Sequence, residues 1–225
     1  KATLYCTLEP HNFNSHDISC TEMIIKSGIK KVSCPKIDTN PKVKGNGFKQ
    51  LEKEGIEIIT SWGDYQKKQI DELYEAYDFK IKNLRPRIAA KFAMTLDGKI
   101  ATKTNDSKWI SGESSRKHVH ELRSFSDAIL IGINTLLLDD PRLTVRLGND
   151  SQHYNQPLRV IVDSNLKVPF DAKVFSEPGK NLIATLKESE KSHKIQTLYK
   201  NTEIVVVPEH NGRVDLDILI TEYLI

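Results

Sequence analysis

The chain has 225 residues, with 33 basic side chains against 30 acidic ones and a formal net charge of +3. That length suits one large or two ordinary domains and can bury a core without staples. With 38% hydrophobic and 28% charged residues the composition excludes wholesale disorder, and the small lysine surplus is not the basic, aromatic-interleaved stripe of a nucleic-acid binder.

Ala2, Leu4, Cys6 and Leu8 alternate with Lys1, Thr3, Tyr5 and Thr7, which predicts a half-buried strand. Asp17 reads as the N-cap of a helix carrying Met23, Ile24 and Ile25 and stopped by Gly28. A strand over 29–34 follows, then a loop marked by Asn40-Pro41 and Gly45-Asn46-Gly47. A helix over 48–54 ends at Gly55, and 56–59 is a strand. A helix over 65–77 puts Ile70, Leu73 and Tyr77 on one face. This alternation is that of an α/β layer with parallel strands.

The polar stretch 80–86 reads as a linker between regions 1–79 and 87–225. After it come a strand over 88–94, a tight turn at Asp97-Gly98, and a helix capped by Ser111 with Val119, Leu122 and Phe125 as its apolar residues. Strands over 128–131, 158–162, 182–184 and 204–207 follow. Asp215 begins a last helix with Leu216, Leu219, Ile220 and Tyr223. The second region is therefore α/β as well.

The chain opens inside a strand pattern without Met and stops inside a helical one, so it reads as a fragment cut at both ends. No apolar run approaches the roughly 20 residues that cross a bilayer, so no membrane partner is expected. The cysteines, Cys6, Cys20 and Cys34, are too few and odd in number for a disulfide framework. They suit a reducing, cytoplasmic setting.

Two places carry chemistry. In the first, Thr7-Leu8-Glu9-Pro10 closes a strand, His11 follows, and Cys20 stands near the next helix start. Both side chains are zinc ligands, but two ligands do not make a site. A small buried Cys20 and a surface His11 is the other reading.

Residues 2–20 resemble the second half of the zinc motif of nucleoside-type cytidine deaminases. The runs Ala2-Thr-Leu-Tyr-Cys-Thr-Leu-Glu-Pro10 and Asp38-Thr-Asn-Pro-Lys-Val-Lys-Gly-Asn-Gly47 resemble the deaminase region of the RibD family, bifunctional riboflavin-biosynthesis proteins. That family has a cysteine ligand after Thr-Leu-Glu-Pro, where this chain has His11, and a second cysteine, kept here as Cys20. The resemblance thus implies Cys20 and His11 as the metal positions. The family's His-x-Glu, with a further ligand and the proton-shuttling glutamate, falls before residue 1. The stretch given is expected neither to deaminate nor to hold zinc well.

In the second place, Lys91-Phe-Ala-Met-Thr-Leu-Asp-Gly-Lys99 and Asp106-Ser-Lys-Trp-Ile-Ser111 lead into a helix. Small polar residues, a tryptophan face and helix N–H groups suit a flat anionic ligand; a plain turn and a core tryptophan are the alternative. Gly132-Ile-Asn-Thr135, Leu138-Asp-Asp-Pro141 and Arg142-Leu-Thr-Val-Arg146 follow, with Arg123 on the preceding helix. These arginines would clamp one phosphate or simply face solvent. Asp163-Ser164 ends a strand, where α/β folds place ligands.

Across 86–164 these blocks, in order, resemble the reductase domain of the same family. The resemblance implies a cytidine-deaminase-like α/β partial domain followed by a partial dihydrofolate-reductase-like α/β domain. It implies NADP(H), contacted by Ala93, Trp109, Thr135, Asp139 and Ser164. It implies a phosphorylated ribosylaminopyrimidine, contacted by Ser107, Arg123, Leu143 and Arg146. No side chain stands out as catalytic. The implied step passes hydride from NADPH to the ribosyl C1, giving the ribityl product, and the implied assembly is a homo-oligomer through the reductase domain. The family's Gly-Gly turn and a substrate-binding glutamate fall past residue 225. A reductase with a degenerate deaminase domain, and a non-catalytic nucleotide-binding or assembly protein, are the rival readings.

Overall fold

In the computed structural model, residues 2–14, 18–148 and 154–224 are described. The chain divides into two compact units, Lys1–Ile88 and Ala89–Ile225.

In the first unit three short parallel strands lie in the order β1 (Thr3–Tyr5), β2 (Lys31–Ser33), β3 (Glu57–Ile59). Helices α1 (Cys20–Lys26) and α2 (Asn46–Lys53) make the crossovers, and α3 (Asp64–Asn83) follows β3. Ile24, Val32, Cys34, Phe48, Leu51 and Ile56 form the core, with Leu4 and Cys6 packed against it. Strand alternation puts Leu4 and Cys6 on this shared side, as the sequence pattern requires.

A buried carboxylate ties the loops of this unit together. Glu9 Oε2 accepts from the backbone N–H of Asp38 (3.1 Å) and Gly45 (2.8 Å), and Oε1 accepts from Gly47 (2.8 Å) and Phe48 (3.2 Å). The loop after β2 and the first turn of α2 therefore hang on one side chain, itself 3% exposed. The approach is so close that a Cβ on Gly47 would lie 2.0 Å from the Pro10 carbonyl oxygen, so only glycine fits there.

Several expectations are corrected in this unit. The N-cap of α1 is Ser19, whose hydroxyl accepts from Glu22 N–H at 3.3 Å; Asp17 lies outside the described residues. Helix α3 runs through Asn83, so the first half of the expected linker 80–86 is helical. It stops at Leu84, which is left-handed (φ 54°) and donates its N–H to the Lys80 carbonyl. Leu73 is exposed, and Ile70 alone is buried on α3. Polar contacts hold this helix instead. Lys36 Nζ meets Asp71 at 2.8 Å and Asp78 at 2.9 Å, Tyr74 and Thr7 share a hydroxyl bond, and Tyr77 donates to Asp38 at 2.9 Å. Burial, then the Asp38 carboxylate, push the Tyr77 phenol up to about 12.

In the second unit helix α4 (Glu113–Ser124) precedes a four-stranded parallel sheet. Its strands β4 (Ala128–Gly132), β5 (Leu158–Val162), β6 (Asn181–Thr185) and β7 (Thr202–Val206) pair in chain order. Helix α5 (Ile133–Asp139) follows β4, and α6 (Glu190–Leu198) joins β6 to β7. A hairpin, β8 (Glu209–His210) with β9 (Arg213–Val214), leads to α7 (Leu216–Ile218), capped by Asp215 and continued by π-helical Leu219–Tyr223. Both sheet faces are covered. Ile161 and Ile183 face one core with Leu136 and Ile195, while Val160, Leu182 and Ala184 face another with Leu219. Covering on both sides is the rule for parallel sheets and explains the unbroken apolar runs.

The interior of β5 also holds a cation. Arg159 is 1% exposed. Its guanidinium donates to Asn181 Oδ1 at 2.7 Å and to the carbonyls of Glu177, Pro178 and Gly179.

Here too the structure differs from expectation. Residues 88–94 form no strand, and Phe92 and Met94 are exposed. Alternation yields a strand only where a neighbouring edge takes its hydrogen bonds, and among the described residues none pairs with it. The N-cap of α4 is Gly112 rather than Ser111, whose carbonyl instead accepts from Arg116 Nη1 at 2.7 Å. The apolar face expected on α4 is open, Phe125 being 89% exposed and Leu122 46%. The turn at Gly98 forms as expected, with its N–H on the Thr95 carbonyl and φ of 76°.

Candidate functional site

Two cavities of the second unit between them take in all nine residues assigned to ligands from the sequence. The larger, about 800 Å³, is walled by the 91–111 segment, by α4, and by the chain that leaves α5. Seven of the nine residues assigned to ligands from the sequence line it: Ala93, Ser107, Trp109, Arg123, Asp139, Leu143 and Arg146. Residues as far apart in sequence as Ala93 and Arg146 thus close into one cleft.

Charge dominates this cleft. Arg123 points inward from α4 and donates Nη1 to the Thr144 carbonyl at 3.2 Å, which fixes the fork and leaves its other N–H groups for a ligand. Burial, then the charge of Arg146, lower the Arg123 guanidinium from its ordinary value. Two cations held this close are costly without an anion between them. Among the other basic residues here, Arg142 meets Glu177 at 3.3 Å and Lys173 meets Asp140 at 3.0 Å, so each is partly neutralised. Arg116 lies over the Trp109 ring at 4.6 Å and holds that exposed indole from one side. A core tryptophan, the alternative left open by the sequence, is thereby excluded. Leu143 is 5% exposed and its side chain is committed to the core, at a left-handed backbone position (φ 56°) that turns the chain into the cleft wall.

The sequence did not single out His120. It precedes Arg123 by three residues on α4, a spacing that puts both on one helix face. Its Nδ1 accepts the backbone N–H of Arg146 at 3.1 Å.

The second cavity, about 440 Å³, opens at the C-terminal ends of β4 and β5. Thr135 and Ser164 line it, so these two positions are not brought into the first cleft. Helix α5 links the two places: Thr135 and Asp139 are one turn apart, about 6 Å along the axis. Strand C-termini are where α/β sheets receive nucleotides. Asp163 also lines this cavity. Its Oδ2 accepts from Val168 N–H at 2.7 Å, while its buried Oδ1 has no partner among the described residues. Beside it Gly132 leaves open space where a Cβ would stand. An unpaired acceptor beside an uncovered backbone fits the hydroxyl and amide groups of a nucleotide.

The zinc positions behave differently. Thr21 N–H donates to the His11 carbonyl at 3.2 Å, which brings that loop to the start of α1 beside Cys20. The imidazole packs on Phe13, with ring centroids 5.3 Å apart. Among the described residues no group of three or more His, Cys, Asp or Glu side chains is placed to hold a metal ion. Glu9, the carboxylate two residues before His11, is committed to four backbone N–H groups. A zinc site needs three protein ligands and water, or four, so these residues do not fit the metal. No chemical step is derived through it.

The family model described as the RibD C-terminal domain matches residues 86–222, more than half of the chain. The chain belongs to the RibD family. The RibD riboflavin biosynthesis protein of Aquifex aeolicus is 40% identical over 211 residues, which are 93% of this chain and 57% of that protein. That of Escherichia coli K12 is 30% identical over 98% of this chain and 60% of its own. Among solved structures, RibD of Acinetobacter baumannii superposes with a TM-score of 0.81 at 29% identity, covering 97% of this chain and 58% of that one. A Thermotoga maritima structure, described as a diaminohydroxyphosphoribosylaminopyrimidine deaminase/5-amino-6-(5-phosphoribosylamino)uracil reductase, gives 0.69 at 34% identity over 90% of this chain and 61% of that one. The chain thus spans under two thirds of the length of these RibD relatives. None of its helices is long and apolar enough to cross a membrane, among the described residues.

Proposed function

We propose that this chain supplies the reductase site of a riboflavin-biosynthesis enzyme. That site reduces 5-amino-6-(5-phosphoribosylamino)uracil to the ribitylamino product with NADPH. The observation that carries the reading is the meeting of Arg123 and Arg146 in one cleft with Ser107 and Trp109, in a chain of the RibD family. Two guanidinium groups, one half-buried on α4 and one exposed at the cleft edge, suit a phosphate.

The assigned roles follow the chemistry of each group. Arg123 and Arg146 hold the substrate phosphate, Ser107 offers a hydroxyl, and Leu143 shapes the wall behind them. Trp109, steadied by Arg116, gives a flat apolar face for an aromatic ring. Thr135 and Asp139 on α5, with Ser164 just after β5, would hold the cofactor, and Ala93 leaves room across the cleft. NADPH bound there would supply a hydride to the ribosyl C1, whose bond to the ring oxygen breaks as that oxygen takes a proton. The protein's part is orientation: a phosphate clamped at one end fixes the distance of the sugar carbon from the cofactor.

We assign 87–225 to this reductase domain and 1–79 to the deaminase-like region of the family. No deamination is proposed for the chain itself. Free Cys6, Cys20 and Cys34 suit a cytoplasmic setting. Assembly of copies through the reductase unit suits the open face of α4 at Leu122 and Phe125. The test is substrate-dependent loss of nicotinamide absorbance with the full-length protein. A folded full-length protein that consumes no NADPH with this substrate overturns the reading.

A further inference from the structure

His120 sits between the two arginines of the larger cleft, on the same helix as Arg123 and bonded to the backbone of Arg146. The direction of that bond fixes the state of the ring. A backbone N–H only donates, so Nδ1 must present its lone pair, and the proton of the neutral imidazole sits on Nε2. A protonated ring would set one N–H against another, and the contact would open.

We propose that His120 is a positioning residue: as a neutral imidazole it latches the Arg146 segment to α4, and acid releases the latch. The surroundings favour the neutral form. Burial first, then the charges of Arg123 and Arg146, hold the His120 imidazole below the usual histidine range. The Thr144 carbonyl beside the ring acts the other way and is the smaller influence. Arg116, on the same helix, is committed to Ser111 and Trp109. Of the remaining charged groups on the cleft, Lys91 and Lys108 disfavour a further cation, and Arg142 does so less because it meets Glu177. Asp139 favours one, and the Asp140–Lys173 pair is internally balanced. Val145 is fully buried and paired with Gln156, whereas Arg146 is exposed, so this bond ties the chain to α4 at the point where it leaves the core.

The sign follows. The latch is complete above the folded-state pKa of His120 and is lost as pH falls through it. Substrate affinity should fall with it, because the clamp loses one arm, while hydride transfer from a correctly bound substrate is unchanged. The inference rests on the phosphate-clamp reading above, and its test carries one readout that does not.

With the full-length enzyme, His120→Leu should raise the substrate KM about three- to tenfold at neutral pH, the value of one backbone hydrogen bond, with kcat and the NADPH KM little changed. His120→Asn puts an amide oxygen near the place of Nδ1 and cannot titrate. It should recover most of the lost affinity. The substrate phosphate itself gains a proton near pH 6, so KM rises in acid for every variant. The parent should rise more steeply than His120→Asn, and that difference belongs to His120. Independently of activity, the imidazole nitrogen resonances of the parent should show an unprotonated Nδ1 and a protonated Nε2 at neutral pH, assigned by their loss in His120→Asn. A proton on Nδ1, a His120→Leu enzyme with the parent KM, or identical acid limbs for parent and His120→Asn would each overturn the latch. An inactive protein that shows the expected imidazole tautomer would overturn the reductase reading and leave the latch standing.

Discussion

Arg123 and Arg146 are the residues on which the substrate reading turns. Each offers a charge-assisted bond, worth about 1.5–3 kcal/mol, or roughly ten- to a hundredfold in affinity. Arg123→Ala and Arg146→Ala should therefore weaken substrate much more than NADPH, as steady-state KM values for each will show. Equal losses for both ligands would remove the clamp assignment. Glu9 matters at the same scale but for stability. Replacing it with alanine strands four backbone N–H groups, at least two of them buried, at about 1–3 kcal/mol each before relaxation. Glu9→Ala should lose at least about 3 kcal/mol by urea titration of the first unit, monitored at Trp62. Trp62 Nε1 donates to Ser33 Oγ on β2, so its fluorescence follows that sheet. An unchanged midpoint would mean the loop finds other acceptors.

At the scale of elements, the loop between β1 and α1 decides the metal question. It begins with Glu9 buried and ends with Ser19 capping α1, so both ends are anchored. Between them His11 packs on Phe13, and the described residues bring no third ligand to Cys20. Purified as this chain and dialysed against a weak chelator, the protein should carry well under one zinc per molecule by plasma emission. Stoichiometric zinc that disappears in His11→Ala would show that the histidine had become a ligand. The parallel sheet of the second unit teaches the complementary lesson. Its strands were legible as apolar runs, whereas α5 was not. Gly132-Ile-Asn-Thr135 carries no side-chain cap, and its helix starts on Gly132 without a side-chain bond. Helix α6 had a usable signal in Ser189, which forms a reciprocal cap with Ser192.

For the whole molecule, the exposed stretch after α3 is where the chain should be cut most readily. Leu84 ends the helix in a left-handed turn, and residues from 89 to 92 are largely exposed and unpaired in any sheet. Trypsin under native conditions should cleave first after Arg87 or Lys91, since the bond after Arg85 precedes a proline and resists the enzyme. Mass spectrometry of the earliest fragments checks this. First cuts inside β5 or β6 would contradict the division into two units, because those strands are buried on both faces.

Apart from residues 88–94 and helices α5 and α6, the sequence by itself determined the main element types and the order of the two α/β regions, since periodicity and glycine stops are local properties. By resemblance it also nominated nine positions for ligands, spread from Ala93 to Ser164. Tertiary structure decided what local pattern cannot contain. Whether 88–94 becomes a strand depends on a partner edge, and whether Leu73, Leu122 and Phe125 are covered depends on what packs against them. The division of the nine positions between two cavities depends on where α5 begins and ends. His120 gives the clearest reason for the gap. Its three-residue spacing from Arg123 was visible in the sequence, but the bond from Arg146, twenty-six residues away, exists only once the chain has folded back on α4.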